Sequence, residues 1–126
     1  MEREAFEELV AAGLMQLPER FLKQIRNVAI VISDRPTSGQ RQRGRIDPQS
    51  LLLGLYEGVP KTSRFGQTPL LPDKITIFQD HIEAVAGRPE DIPGIVANTV
   101  WHEVGHYFGL TEAQIHRADH RRRRKY

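Results

Sequence analysis

Thr99-Val100-Trp101-His102-Glu103-Val104-Gly105-His106-Tyr107-Phe108-Gly109-Leu110-Thr111-Glu112 is the stretch on which the reading of this chain turns. Ile95, Val96, Thr99, Val100, Glu103, Val104 and Tyr107 recur at intervals of three and four between Asp91 and Gly109, which is the period of a helix. A helix turns by about 100° per residue, so His102 and His106 stand about 40° apart, one turn up the same face. Two imidazoles so placed can reach one metal ion. Glu103 is rotated by about 100° from His102, which takes its carboxylate out of competition as a ligand and lets it face a water held by the metal. That is the place of a general base: zinc lowers the pKa of its water toward about 7, and a neighbouring carboxylate can take the proton and pass it to a leaving amine.

Two histidines make a weak site, because catalytic zinc usually takes three protein ligands and one water. Gly109 can adopt the left-handed conformation that ends a helix and reverses the chain, which lets a residue just beyond it return toward the histidines. Glu112 follows three residues later. As a ligand it would complete a His102, His106, Glu112 set; as an acid in the first turn of a following helix it would be favoured by the helix dipole alone. His116, Asp119 and His120 on that last helix are the rival third ligands, although the two histidines read more readily as solvated residues of a basic face. His81, beside a helix start, reads as a surface residue. Chance weighs against a bare pair of packed histidines. With this composition, His-Glu-x-x-His arises by accident roughly 0.015 times in such a chain, and roughly 0.0002 times with the later Gly and acid required as well.

Composition narrows the chemistry further. The chain has no cysteine, so disulfides, thiol nucleophiles and Cys-type metal sites are excluded and any metal must rest on His, Asp and Glu. Its 126 residues, 39% hydrophobic and 27% charged, suit a single domain over 1–126 with one modest core. No run approaches the roughly 18 apolar residues that span a bilayer, so no membrane partner is expected. The opening Met1-Glu2-Arg3-Glu4 is unlike a signal region, which makes the expected location cytoplasmic. The net charge of +2 is unevenly placed. From His116 to Tyr126 six Arg and Lys face only Asp119, a net +5, while twelve bases and fifteen acids leave the rest at −3. This basic tail, at about 117–126, has no aromatic residues interleaved to stack on bases, so specific nucleic-acid binding is not expected.

Outward from the motif, Phe6, Leu9, Val10, Leu14 and Leu17 predict an amphipathic helix over Glu2 to Leu17, and Phe21, Leu22 and Ile25 a second over Glu19 to Arg26. The β-branched run Val28-Ala29-Ile30-Val31-Ile32 reads as a central strand buried on both faces. Arg35 to Ser50, with Arg41, Arg43 and Arg45 and no apolar period, reads as a long surface loop. Leu51 to Gly58 reads as a strand in which Gly54 marks a bulge or an edge approached by another backbone. Val59 to Asp73 is loop, and Lys74 to Gln79 alternates as a third strand. Asp80 is placed as the N-cap of a short helix ending at Gly87, and Thr111 with Gln114 as a capping box that opens the last helix. This order of helices and strands defines an α+β or α/β layered domain.

From His102 to Glu112 the sequence resembles the zincin metallopeptidases, and its His-x-x-x-His-x-x-Gly-x-x-ligand spacing is similar to the metzincin branch. The resemblance extends over nearly the whole chain to small bacterial zincin-like metallopeptidases. It runs through Leu17-Pro18, Asn27-Val28-Ala29-Ile30-Val31, Leu53-Gly54-Leu55-Tyr56-Glu57-Gly58-Val59-Pro60 and Leu71-Pro72-Asp73-Lys74-Ile75-Thr76-Ile77-Phe78. It implies an α+β, reduced zincin-like fold: a small mixed β-sheet backed by helices, with the metal-binding helix near the C-terminus. It makes His102, His106 and Glu112 the ligands of one Zn²⁺ per chain and Glu103 the catalytic base. The implied activity is hydrolysis of peptide bonds in a peptide or protein substrate through metal-activated water. Two departures stand out: Glu112 occupies a place where metzincins have His or Asp, and no methionine follows the motif. With only 14 residues after Glu112, substrate must be held elsewhere, and the segment Leu51 to Glu57 is the expected edge for strand addition. The sequence singles out no oxyanion stabiliser; Tyr56, Tyr107 and His116 are only options. The alternatives are a non-catalytic metal-binding interaction module and nucleic-acid association through Arg121 to Lys125.

Overall fold

Helix α1 (Arg3–Met15) lies against the motif-bearing helix α5 (Ile92–Tyr107), and the two form one layer over a three-stranded sheet. The computed structural model describes residues 1–25, 27–44, 50–58 and 73–117. Residues 59–72 of the loop expected over Val59 to Asp73, Arg45, and the tail from residue 118 onward, with Asp119, His120 and Arg121 to Lys125, lie outside the described residues, while Asp73 is in a strand. Between α1 and α5 come α2 (Glu19–Leu22), β1 (Val28–Ser33), α3 (Ser38–Arg43), β2 (Gly54–Glu57), β3 (Asp73–Phe78), α4 (Gln79–Ala86) and a 3₁₀ turn at Pro89–Asp91. Among the described residues no helix is long and apolar enough to cross a membrane.

The sheet order is β1-β3-β2, with β1 parallel and β2 antiparallel to β3. This is a small mixed sheet backed by helices, an α+β fold as expected. Side chains alternate across it. Ile75 and Ile77 of β3 join Phe6, Val10, Val96, Val100 and Val104 in the core beneath α1 and α5, while Phe78 packs with Leu52 and Leu55 on the opposite face.

The expectation for β1 is corrected. The strand at the centre is β3, whereas β1 lies at an edge and leaves Val31 37% exposed. An apolar run reports shielding of a strand's faces and carries no information about how many of its edges are paired. Central position instead goes to the alternating Lys74-Ile75-Thr76-Ile77-Phe78, which buries even Thr76 to 1% exposure. The segment read as a continuous surface loop contains α3, held by a local device rather than an apolar face. Thr37 Oγ1 accepts from Gln40 N–H, and the Gln40 side chain accepts from Thr37 N–H. Helix α2 stops at Leu22, short of the expected Arg26, and α4 begins at Gln79 with Phe78 at its N-cap and Asp80 in its first turn.

Gly54 is an edge residue, as expected, and what approaches it most closely is the side-chain surface of α5, with the Thr76 backbone C=O next. A Cβ at Gly54 would stand 2.7 Å from Thr99 Cγ2 and 3.2 Å from Glu103 Cγ. The absence of a side chain is what lets α5 seat on β2. Gly54→Ala is therefore expected to lower stability by about 1–3 kcal/mol, the cost of overpacking a closed contact. A urea titration tests this: the midpoint should fall with the slope unchanged, and an unchanged midpoint would mean that the helix and strand part freely.

Candidate metal centre

Helix α5 starts behind the 3₁₀ turn with Pro93 in its first turn, where a missing N–H costs nothing. Val96, Val100 and Val104 face the core, and Trp101 meets Phe21 edge-on at 5.8 Å. These contacts fix the rotation of the helix. They leave His102 and His106 on a partly exposed face and turn Glu103 inward beneath β2, where it is 5% exposed. Gly109 adopts φ +77°, and Leu110 N–H returns to Gly105 C=O at 3.0 Å, so the chain reverses as its glycine foretold. Thr111 and Gln114 then form the expected capping box, at 2.7 and 3.1 Å, and residues 112–117 are helical.

The reversal brings Glu112 to both histidines. Its Oε2 lies 2.7 Å from His102 Nε2 and its Oε1 2.7 Å from His106 Nε2, and the two rings are 4.5 Å apart at their centroids. His102, His106 and Glu112 each offer one ligand atom within 4.8 Å of the others, a group that could hold a metal ion. Among the described residues this is the one such group. His116, the described rival, is exposed on residues 112–117 and is no member of it.

Glu103 has two hydrogen-bond partners. Its Oε1 accepts the Tyr56 backbone N–H of β2 at 2.9 Å, and its Oε2 lies 3.0 Å from His102 Nδ1. The hydrogen bond to Glu103, followed by that to Glu112, pushes the pKa of His102 up to about 9 against the opposing effect of its burial. The hydrogen bond to His102, followed by that to His106, holds the Glu112 carboxyl below the usual carboxylate range against the opposing effect of burial. At neutral pH the ring of His102 is thus an imidazolium that donates from both nitrogens.

The Tyr56 amide is not visible as a partner in the sequence, since a backbone N–H has no side-chain signature. It bears on the expected docking edge: while Glu103 holds this amide, a peptide cannot pair with β2 there. Beside it a groove of about 430 Å³ opens between Leu52, Leu53, Gly54, Val85, Ile95 and Asn98, with His102 and Glu103 at its margin. The hydroxyl of Tyr56 donates to Asp73 Oδ2 at 2.7 Å, and Tyr107 is 1% exposed, its ring packed on Tyr56 and Phe108. His81 is half-buried rather than superficial; its Nδ1 is 2.9 Å from Leu52 C=O and its ring packs on Phe78.

The model of the family described as zincin-like metallopeptidase matches residues 25–122, so the chain belongs to that family. Among solved structures, it is similar to a conserved hypothetical protein from T. thermophilus. Identity is 28% and the TM-score 0.59 over 86% of this chain and 94% of that one. A search of curated proteins finds no match.

Proposed function

We propose that this protein is a zinc-dependent peptidase in which His102, His106 and Glu112 hold one Zn²⁺ and Glu103 is the catalytic base. The observation that carries the reading is the convergence of His102 Nε2, His106 Nε2 and the Glu112 carboxylate on one point, with the buried Glu103 carboxylate against the other ring nitrogen of His102. The donor set fits zinc. Tetrahedral ligands at about 2.0–2.1 Å from zinc stand roughly 3.3 Å from one another. The 2.7 Å contacts therefore need to open by about half an ångström, which the exposed Glu112 side chain allows.

When bound, zinc supplies a Lewis acid that brings the pKa of water toward about 7 and polarises a carbonyl. The protein supplies the rest. Each oxygen of Glu103 keeps a lone pair after accepting from Tyr56 N–H or His102 Nδ1–H, so the carboxylate can take a proton from water without leaving its place. It then delivers that proton to the departing amine nitrogen as the C–N bond breaks. The Glu103 contact also holds His102 with Nδ1–H as donor, which presents Nε2 outward as the ligand atom. The groove between β2, α4 and α5 offers a largely uncharged bed for the side chains of an extended peptide.

The test is elemental analysis of untagged protein purified without chelator, followed by a peptide-library cleavage screen. About one zinc per chain and cleavage that chelator abolishes are expected; no zinc after added metal would end the reading. The engagement of both Glu103 oxygens also favours a second reading, a non-catalytic metal-binding module in which Glu103 serves to hold His102 and β2. Such a protein would bind zinc and leave every peptide intact.

Zinc uptake is expected to depend on pH with a definite sign. Metal must displace the Nε2 proton of His102, whose pKa of about 9 keeps it bound at neutrality. Apparent affinity should therefore rise about tenfold per pH unit up to about 9, roughly a hundredfold from pH 7 to 9, and then level off. Competition with a chromophoric chelator at pH 7, 8 and 9 measures this, and a flat profile would show that His102 is already neutral at pH 7.

A further inference from the structure

Glu112 is exposed, and its backbone belongs to a segment that has already left α5 at Gly109. Something must hold that segment at the right height beside the two histidines. The capping box of Thr111 and Gln114 shapes the last helix locally, and the Leu110 N–H ties the turn to Gly105 C=O, but both leave the helix free to swing about the turn. One contact beyond the turn does not. Ile115 is 3% exposed, the single buried side chain in 109–117, and it fills the space over Gly105. A Cβ on Gly105 would stand 2.6 Å from Ile115 Cγ1 and 2.8 Å from its Cδ1. Only a residue without a side chain leaves room for it.

We infer that the seating of Ile115 on the bare Cα of Gly105 sets the position of the Glu112 carboxylate, which makes Gly105 and Ile115 positioning residues of the metal site. This rests on the reading of Glu112 as the third ligand. The geometry is direct at both ends. Gly105 immediately precedes His106 and lies three residues after His102, so the socket is part of the same turn of α5 as the histidines. Ile115 lies three residues after Glu112 on helical residues 112–117, which puts the two side chains on adjoining positions of one helix face. Seating one therefore fixes both the distance and the rotation of the other. Leu110, with Phe108 and Phe21, is packed against the core cluster that includes Trp101 and Val104.

A double-mutant cycle on the full-length protein tests the inference, with Zn²⁺ affinity read by chelator competition and folding checked by circular dichroism. Ile115→Ala is expected to weaken zinc binding about ten- to a hundredfold, the usual loss for a group that orients a ligand. In the Glu112→Ala background the same substitution should cost nothing further, because the carboxylate it positions is gone. Ile115→Val, which keeps Cγ1 against Gly105, should retain near-native affinity. Gly105→Ala, which pushes the segment off from the other side, should reproduce the loss should Ile115→Ala fail to fold. An equal loss with and without Glu112, or no loss from either Ile115→Ala or Gly105→Ala, overturns the inference while leaving the zinc site standing. Unchanged affinity in Glu112→Ala alone removes the reading of Glu112 as a ligand, and the inference falls with it.

Discussion

His102→Ala is expected to strip the protein of zinc. Structural zinc sites of four ligands bind with about 10–16 kcal/mol, or about 3 kcal/mol for each ligand, so losing one costs two to three powers of ten in affinity. With three protein ligands to begin with, the remaining His106 and Glu112 would not hold the ion through purification. A second cost falls on Glu103. Its Oε2 loses the Nδ1–H of His102, and a carboxylate 5% exposed keeps only the Tyr56 amide as its close partner. Burying an acceptor without its donor costs about 1–3 kcal/mol. The variant should thus lose its zinc and also unfold at lower urea concentration, whereas His106→Ala, with a longer 3.7 Å approach of Nδ1 to Glu103, should lose zinc with the smaller change in stability. Elemental analysis beside urea titrations of the metal-free proteins separates the two effects. Zinc retained at one per chain in both variants would remove the histidines from the site.

Glu103→Gln is expected to cut peptide cleavage about 10²–10⁴-fold, the range for removing a positioned general base, while zinc content stays near one per chain. Glutamine keeps the size and shape of the side chain but cannot take a proton from water. It also brings one carbonyl oxygen where two carboxylate oxygens had accepted, so Tyr56 N–H or His102 Nδ1–H is left facing an NH₂ group. Some loss of zinc affinity therefore accompanies the loss of rate, of the size seen when a group behind a ligand is changed, about tenfold. Cleavage products counted by mass spectrometry, set against bound zinc in the same samples, keep the two apart. Undiminished cleavage would exclude Glu103 as the base, and complete loss of zinc would show that its main work is to hold His102.

Much of this is legible in the sequence because it is local. Periodicity from Ile95 to Tyr107 announces α5, the spacing of His102 and His106 announces a shared face, and Gly109 announces the reversal, since each follows from φ, ψ and side-chain preferences within a few residues. The capping box of Thr111 and Gln114 is readable for the same reason. The one at Thr37 and Gln40 is equally local, yet it escapes a reading by apolar period, because a short polar helix lacks that period just as a loop does. The order of strands is hidden on a different ground. A run such as Val28 to Ile32 records what its faces touch, while pairing on its edges depends on which other strand arrives.

The sequence by itself determined the helix that carries His102, Glu103 and His106 and the turn that follows it, both consequences of short-range geometry. Only the tertiary structure decided that β3 lies between β1 and β2 and that Glu103 is buried against the Tyr56 amide. Those outcomes depend on excluded volume and hydrogen-bond partners brought together from separate parts of the chain: Gly54 meets Thr99, and Tyr56 meets Glu103. No pattern within one segment encodes a contact whose other half lies 45 or more residues away.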